Sequence, residues 1–499
     1  MHSLYAAFGL VLQWDVLATI VVASIFGVIV GAIPGLTAVM ATALLVPVTF
    51  FMPPVPAVAA IVSMAAMAIF AGDIPGALLR IPGTPASAAY VHEAYLLTRQ
   101  GTPERGLGMC MAASATGGIL GTIVLIGAAP SLARFAINFS NAEYFWLACL
   151  GLSCAAFVAT GSPLKGLASL MIGLFISTIG IDIMAGHPRF TFGSLDLMGG
   201  VSFIPALIGM FAVSEVLRNA VALKDTAVIK RQNIGGILRG LGKEWFRYRY
   251  NILRGGMLGA CVGALPGAGA DIAAWVSYAF SRRLSKTPEK FGTGHVEGIA
   301  EATAANNGAL SGAWVPTLVF GIPGDSITAI VIGVLYLKGL EPGPTIFIKQ
   351  PEMIYAVFIA FLIANLVMVP LGLVVCRFSN YLLRVPQPIL LPAILMFCVV
   401  GSFAINNTSF DVGVMLALGL LGYVLEENGF PIAPLILGVV LGNMVEFNFM
   451  TTMLKSKGDF VAFVDRPIAA VLALISVAIW ISPIMMSLFR RRRTSAETR

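Results

Sequence analysis

Apolar stretches about as long as a bilayer is thick recur from one end of this chain to the other, and nothing else in the sequence limits its fold so tightly. Roughly 20 consecutive apolar residues cross the hydrocarbon core as one helix, since only helices and closed barrels satisfy their own backbone polar groups there. With 58% hydrophobic and 11% charged residues among 499, an ordinary soluble protein is excluded. The expected fold is an all-α polytopic membrane protein with about 11 to 13 membrane segments. The 53 Gly and 28 Pro are many for a helical protein, and lipid tolerates them only where the freed backbone groups find partners in protein or water. Broken helices and re-entrant hairpins follow.

Charge orders the segments. No Lys or Arg precedes Arg80, so the basic leader of a cleaved signal peptide is missing and the first span is expected to remain in the mature protein. The net charge of +7 is carried by connecting loops and by Arg490-Arg491-Arg492-Arg493, a positive-inside pattern and not a nucleic-acid footprint. The most polar connector, Leu223 to Arg254, holds Lys224, Lys230, Arg231, Arg239, Lys243, Arg247, Arg249 and Arg254 against Asp225 and Glu244, and is expected in the cytoplasm. The six cysteines lie in apolar stretches without a CxxC pair, so neither a disulfide framework nor a metal site is indicated.

The connector divides the chain nearly in half, and the halves repeat. Gly31-Ala32-Ile33-Pro34-Gly35 is answered by Gly263-Ala264-Leu265-Pro266-Gly267, and Ile81-Pro82-Gly83 by Ile322-Pro323-Gly324, in the same order and at nearly the same spacing. An N-terminus outside and a connector inside require an odd number of crossings in the first half. Another odd number in the second half and one more helix, about Pro467 to Leu488, would bring the Arg490 cluster inside. The expected organisation is a first membrane repeat (1–222), a cytoplasmic basic connector (223–254), an inverted second repeat (255–465) and an extra helix with a basic tail (466–499).

A Pro-Gly pair inside an apolar segment removes a backbone donor and leaves carbonyls unpartnered. In transporters built from inverted repeats, such discontinuous helices meet near the midplane, helix N-termini facing anions and freed carbonyls facing cations. The breaks at Pro34-Gly35, Pro82-Gly83, Pro266-Gly267 (with Gly269) and Pro323-Gly324 are therefore candidate substrate-binding elements, together with Thr37, Thr84, Ser87 and Ser326, whose hydroxyls can donate to a carboxylate. Asn306, Asn307, Asp325 and Asp73 are candidates for a coupling ion, intramembrane acids being costly enough to be functional. A further break is expected at Pro75-Gly76. Glu297 and Glu301 share a helix face and are read as lying at the membrane surface, while Asp182 and Asp196 flank His187-Pro188-Arg189 in what reads as a solvated loop.

Enzyme signatures fail. His92-Glu93-Ala94-Tyr95-Leu96 lacks the second histidine of HExxH, the run from Gly267 to Asp271 is one residue too long for GxGD, and no GxxxxGK[ST] loop occurs. Uphill transport would then draw on an ion gradient or on another subunit.

From about Gly27 to Asn448 the chain resembles the large membrane subunit of the bacterial tripartite tricarboxylate transporters (TctA type). The resemblance is carried by Gly31–Gly35, by Ile81–Ser87 with Glu93-Ala94-Tyr95, by Gly263–Gly269, and by Phe291–Gly294 with Glu297-Gly298. Ala305-Asn306-Asn307, Pro316-Thr317, Gly321–Gly324 and Gly339–Pro344 complete it. It implies a multi-pass permease of the bacterial inner membrane that works with a small membrane subunit and a periplasmic solute-binding protein, takes up citrate or related carboxylates, and is driven by Na+ or H+ with no other cofactor or metal. The chain departs from the family pattern where Y-G-G-S is usual and it has Phe70-Ala71-Gly72-Asp73-Ile74-Pro75-Gly76, and where E-A-A-N-N-A is usual and it has Thr303–Gly308, the nearest acid being Glu301. The reading from another class is a membrane-embedded enzyme acting on a lipid or peptide, with Asp73 and Asp325 as acid and base.

Overall fold

The structure is a computed structural model that describes residues 2–158, 162–182, 184, 186–221, 236–267, 269–383 and 387–481. The first part of the basic connector (223–235) and the Arg490 cluster lie outside the described residues. The protein is an all-α polytopic membrane protein: among the described residues eight helices are long and apolar enough to cross a membrane, and four more, Ala38–Phe50, Pro163–Ser177, Ser326–Leu337 and Pro467–Ile481, are apolar but shorter. Among the described residues the one sheet is a two-residue antiparallel pairing of Gly180–Ile181 with Pro188–Arg189.

Contacts divide the chain into two compact units, Met1–Arg134 with Ile204–Leu265 and Gly269–Tyr423, and Phe135–Phe203 with Pro266–Ala268 and Val424–Arg499. In the larger unit the same pairing of helices occurs twice. The helix Trp14–Ala32 packs on Pro54–Ala71 through Gly27 and Gly31, where a Cβ would lie 2.3 Å from the Met64 carbonyl oxygen and 2.4 Å from that of Ala68. The helix Arg249–Gly263 packs on Val296–Phe320 through Gly255, Gly259 and Gly263, where a Cβ would lie 2.2, 2.2 and 2.3 Å from the carbonyls of Glu301, Ala305 and Ala309. Backbones this close need small residues every fourth position, the usual solution where lipid supplies no hydrophobic drive between helices.

Val296–Phe320 is buried along nearly its whole length, so protein and not lipid is its solvent, and it can carry Glu301, Asn306 and Asn307. Glu301 is not at a surface as its sequence position suggested. It is 0% exposed and held by Arg254, which pairs with both of its oxygens, while Asn251 bridges Glu301 and Glu297 at 3.0 Å each. Arg254 thus belongs to a helix that starts at Arg249, inside the stretch read as connector.

In the smaller unit Pro163–Ser177 and Asn141–Val158 pack on Ile432–Lys455. Buried Glu143 accepts the Ser140 amide at 2.8 Å and pairs with Arg466, and Arg189 grips both oxygens of Glu446 while lying 3.2 Å from Asp182. The loop read as merely solvated is therefore tied down by ion pairs. Gly267 also belongs here, with φ +93° and its Cα against Gly151 and Ala155.

Candidate functional site

All four expected Pro-Gly breaks interrupt helices. Gly35 and Gly267 take positive φ, 87° and 93°, after the helices that end at Ala32 and Gly263. The expected fifth break does not occur. Pro75 and Gly76 lie within the helix Asp73–Leu79, and the discontinuity is a turn at Gly72. A proline in the first turn of a helix lacks a donor that would have no intrahelical partner anyway, so the chain resumes its helix through it.

The breaks at Pro82-Gly83 and Pro323-Gly324 are built alike, bond for bond. Arg80 and Gly321 end their helices in the left-handed conformation, φ 63° and 69°. The amides of Ile81 and Ile322 reach back to the carbonyls of Pro75 and Pro316, 3.3 Å in both cases, and those of Arg80 and Gly321 to Gly76 and Thr317 at 3.0 and 3.1 Å. This is the double bond of a helix C-cap that absorbs orphan carbonyls. Beyond the glycine, the chain restarts with reciprocal caps. The Thr84 amide donates to Ser87 Oγ and the Ser87 amide to Thr84 Oγ1, both at 3.1 Å. The Asp325 amide donates to Thr328 Oγ1 at 2.9 Å and the Thr328 amide to Asp325 Oδ1 at 2.7 Å. Each glycine is wedged against a backbone: a Cβ on Gly83 would lie 2.3 Å from Gly72 Cα, and one on Gly324 2.6 Å from Ala313 Cα.

The two tips meet at one cavity of about 40 Å³, lined by Thr37, Ala38, Val39, Ile69, Thr84, Pro85, Ala86, Asn306, Asp325, Ser326 and Ile327. Two helix N-termini open into it. Thr37 caps Ala38–Phe50, accepting the Met40 amide at 3.2 Å, and Asp325 caps Ser326–Leu337. First-turn amides and the helix dipole give such ends a preference for anions. The volume suits an ion and a water or two, since a single water needs only about 10–15 Å³ by this measure. A carboxylate of several carbons requires the tips to separate.

Thr37, Thr84, Asn306, Asp325 and Ser326 are thus brought together from the expected residues. Pro34, Gly35, Pro82, Gly83, Pro323 and Gly324 stand behind them as backbone supports, the Gly35 carbonyl accepting the Asn219 amide at 3.0 Å. Ser87 is buried by its cap with Thr84. Pro266, Gly267 and Gly269 do not line the cavity. Asn307 lies one step along the helix from Asn306, its amide 3.3 Å from both the Ser114 carbonyl and Asn365 Oδ1. Asp73 is also off the cavity but linked to it, because Asn306 Nδ2 donates to the Tyr90 hydroxyl at 3.0 Å and Tyr90 donates to Asp73 Oδ1 at 2.6 Å. Among the described residues no group of three or more His, Cys, Asp or Glu could hold a metal ion.

Sequence reasoning missed Tyr90 and Glu93. Glu93, 1% exposed, accepts the amides of Gly292, Gly294 (2.7 Å) and His295 (2.8 Å) and the Tyr278 hydroxyl (2.8 Å). It ties the segment after the first tip to the loop that leads into Val296–Phe320. Glu93-Ala94-Tyr95 and Phe291–Gly294 both stand among the family-like motifs, but as separate motifs, and spacing along the chain says nothing of contact.

The sequence profile described as "Tripartite tricarboxylate transporter TctA family" matches residues 17–437. The "Uncharacterized 52.8 kDa protein in TAR-I ttuC' 3'region" of Agrobacterium vitis is 35% identical over 471 residues, 94% of this chain and 93% of that protein. The "Uncharacterized protein in TAR-II ttuC' 3'region" of the same organism is 39% identical over 212 residues, 42% of this chain and 88% of that protein. No solved structure matches. The chain belongs to the tripartite tricarboxylate transporter TctA family, whose members are membrane components of tripartite transporters.

Proposed function

We propose that the chain is the large permease subunit of a secondary importer for tricarboxylates or related organic acids, acting in a bacterial inner membrane with a small membrane subunit and a periplasmic solute-binding protein. One observation carries this reading: two tips with the same backbone design line one cavity, and two helix N-termini open into it. Backbone amides at helix ends attract a carboxylate without a buried Lys or Arg, and Thr37, Thr84 and Ser326 add hydroxyl donors.

In this mechanism residues 1–222 and 255–465 are inverted repeats, the connector 223–254 is cytoplasmic, and the tips part toward one side of the membrane at a time. Pro34-Gly35 and Pro266-Gly267, with Gly269, act as hinges of the helices that follow them. The coupling ion passes on the side of the cavity where Asn306 and Asp325 stand, a side that Asn306 links through Tyr90 to Asp73, with Asn307 behind. The enzyme reading loses its acid–base pair, because Asp325 Oδ1 is engaged by the Thr328 amide and hydroxyl and Asp73 does not reach the cavity.

Reconstitution of the three subunits into liposomes tests this directly. Labelled citrate should accumulate under an inward ion gradient and only with the binding protein present. Conversion of citrate or lipid without accumulation would overturn it.

A further inference from the structure

Asp73 occupies a place where the family pattern usually has a small residue, and the tip design does not account for it. The residue at the matching place in the second tip, two before the proline whose carbonyl is capped, is Trp314, packed on Phe361. Asp73 is 1% exposed, follows directly on the Gly72 turn, and has Oδ1 engaged by Tyr90. Its other oxygen, Oδ2, is buried and has no hydrogen-bond partner.

Tyr90 bonds to it, and the other titratable groups that interact with it electrostatically are Cys110 on the helix Pro103–Ala136 and Cys376 on the helix Pro351–Leu382, all neutral when they hold their protons. The helix Pro54–Ala71 has no titratable residue, Trp14–Ala32 has only Asp15 in its first turn, and Val91–Arg99 turns Glu93 to the Gly292–His295 loop. Among the described residues no Lys, Arg or His forms an ion pair with Asp73. An ionised carboxylate with one bare oxygen is far too costly in a buried place. A sodium ion would need several hard oxygen ligands, whereas the side-chain partner of the Asp73 carboxyl is a phenol that donates its hydrogen.

Resting on the importer reading above, we propose that Asp73 carries the coupling ion and that this ion is a proton. It is held on Oδ2 while the tips are closed and given up when separation of Thr84 and Ser326 lets water reach Asn306 and Tyr90. An O–H bond forms at one side of the membrane with a proton from water and breaks at the other, and no other bond changes. Tyr90 and Asn306 are positioning residues that fix which carboxylate oxygen is free.

The test uses the reconstituted three-subunit complex, labelled citrate, no sodium and the membrane potential clamped at zero. An inward gradient of about one pH unit should then give up to about tenfold accumulation, the limit for one coupled proton. Asp73→Asn keeps an acceptor for Tyr90 and imitates the protonated acid, so it should lose this accumulation while retaining citrate exchange at equal pH. Infrared difference spectra of the same complex without citrate should contain a protonated carboxylic acid band near neutral pH that shifts in deuterium oxide and is absent from Asp73→Asn. Undiminished pH-driven accumulation in Asp73→Asn, accumulation by the wild type only under a sodium gradient, or an infrared band unchanged by the substitution would each overturn the proposal. If no variant moves citrate at all, the carboxylate reading fails, and the infrared band still decides the state of Asp73.

Discussion

Arg80 and Gly321 hold the same left-handed backbone, each one residue ahead of an isoleucine, a proline and a glycine. One is the residue type that favours this conformation and the other is not, which separates backbone demand from side-chain chemistry. Replacing Arg80 by Gly should leave thermal stability of the purified protein within about 1 kcal/mol of wild type, because relief of the left-handed strain is offset by the freer unfolded chain. Gly321→Ala should cost about 1–2 kcal/mol, since its Cβ would also press on the Pro342 carbonyl at 3.1 Å. Equal melting temperatures for the two variants would contradict the shared design.

The adjacent asparagines should part company. Asn306 lines the cavity and donates to Tyr90, so Asn306→Ala should reduce transport by about tenfold or more at normal membrane abundance, the link from the cavity to Asp73 having no substitute nearby. Asn307→Ala leaves Asn365 Oδ1 and the Ser114 carbonyl without its donor and should cost about 1–3 kcal/mol of stability. Quantitative blotting beside uptake separates the two outcomes.

Glu301 is wholly buried while Arg254 is one-third exposed, so the two partners are not equivalent. Arg254→Ala abandons a buried charge and should destabilise by about 3–5 kcal/mol, with Arg254→Lys recovering little because one ammonium cannot grip both oxygens. Combining Arg254→Ala with Glu301→Gln should restore much of the loss. Detergent-solubilised yield and melting temperature report all three.

Basic loops resist translocation, and the proposed topology therefore puts Lys230 and Arg491 on the cytoplasmic side. Single cysteines at these positions in a cysteine-free chain should resist a membrane-impermeant maleimide added to spheroplasts and react after lysis. Labelling of either before lysis would reverse the topology.

The breaks at Pro82-Gly83 and Pro323-Gly324 were legible in the sequence because proline and glycine act locally, although Ile-Pro-Gly alone does not stop a helix, since Ile74-Pro75-Gly76 lies inside Asp73–Leu79. Pro75-Gly76 misled because the consequence of a proline depends on its place in the helix, and the turn at Gly72 sets that place. Thr84 and Asp325 could be nominated from their positions beside the breaks, but their caps could not, since a threonine-to-serine pair and an aspartate-to-threonine pair look unrelated as letters. Tyr90 and Glu93 were invisible for a different reason. Their partners, Asp73 and Asn306 for one and Gly292–His295 for the other, are fixed only when distant helices pack. Val296–Phe320 was underrated as a place for acids because hydropathy measures fitness for lipid, and this helix is enclosed by protein.

The glycine files in Trp14–Ala32 and Arg249–Gly263 bear on how the molecule can move. Carbonyls of Met64, Ala68, Glu301, Ala305 and Ala309 sit where side chains would otherwise stand, so each helix pair is interlocked at backbone level and has no compliant layer of side chains to shear. Sliding by even one residue would drive carbonyl oxygens into Cα–Cβ bonds. Whatever conformational cycle the protein performs, these pairs travel as solid struts, and the compliance must reside at their ends.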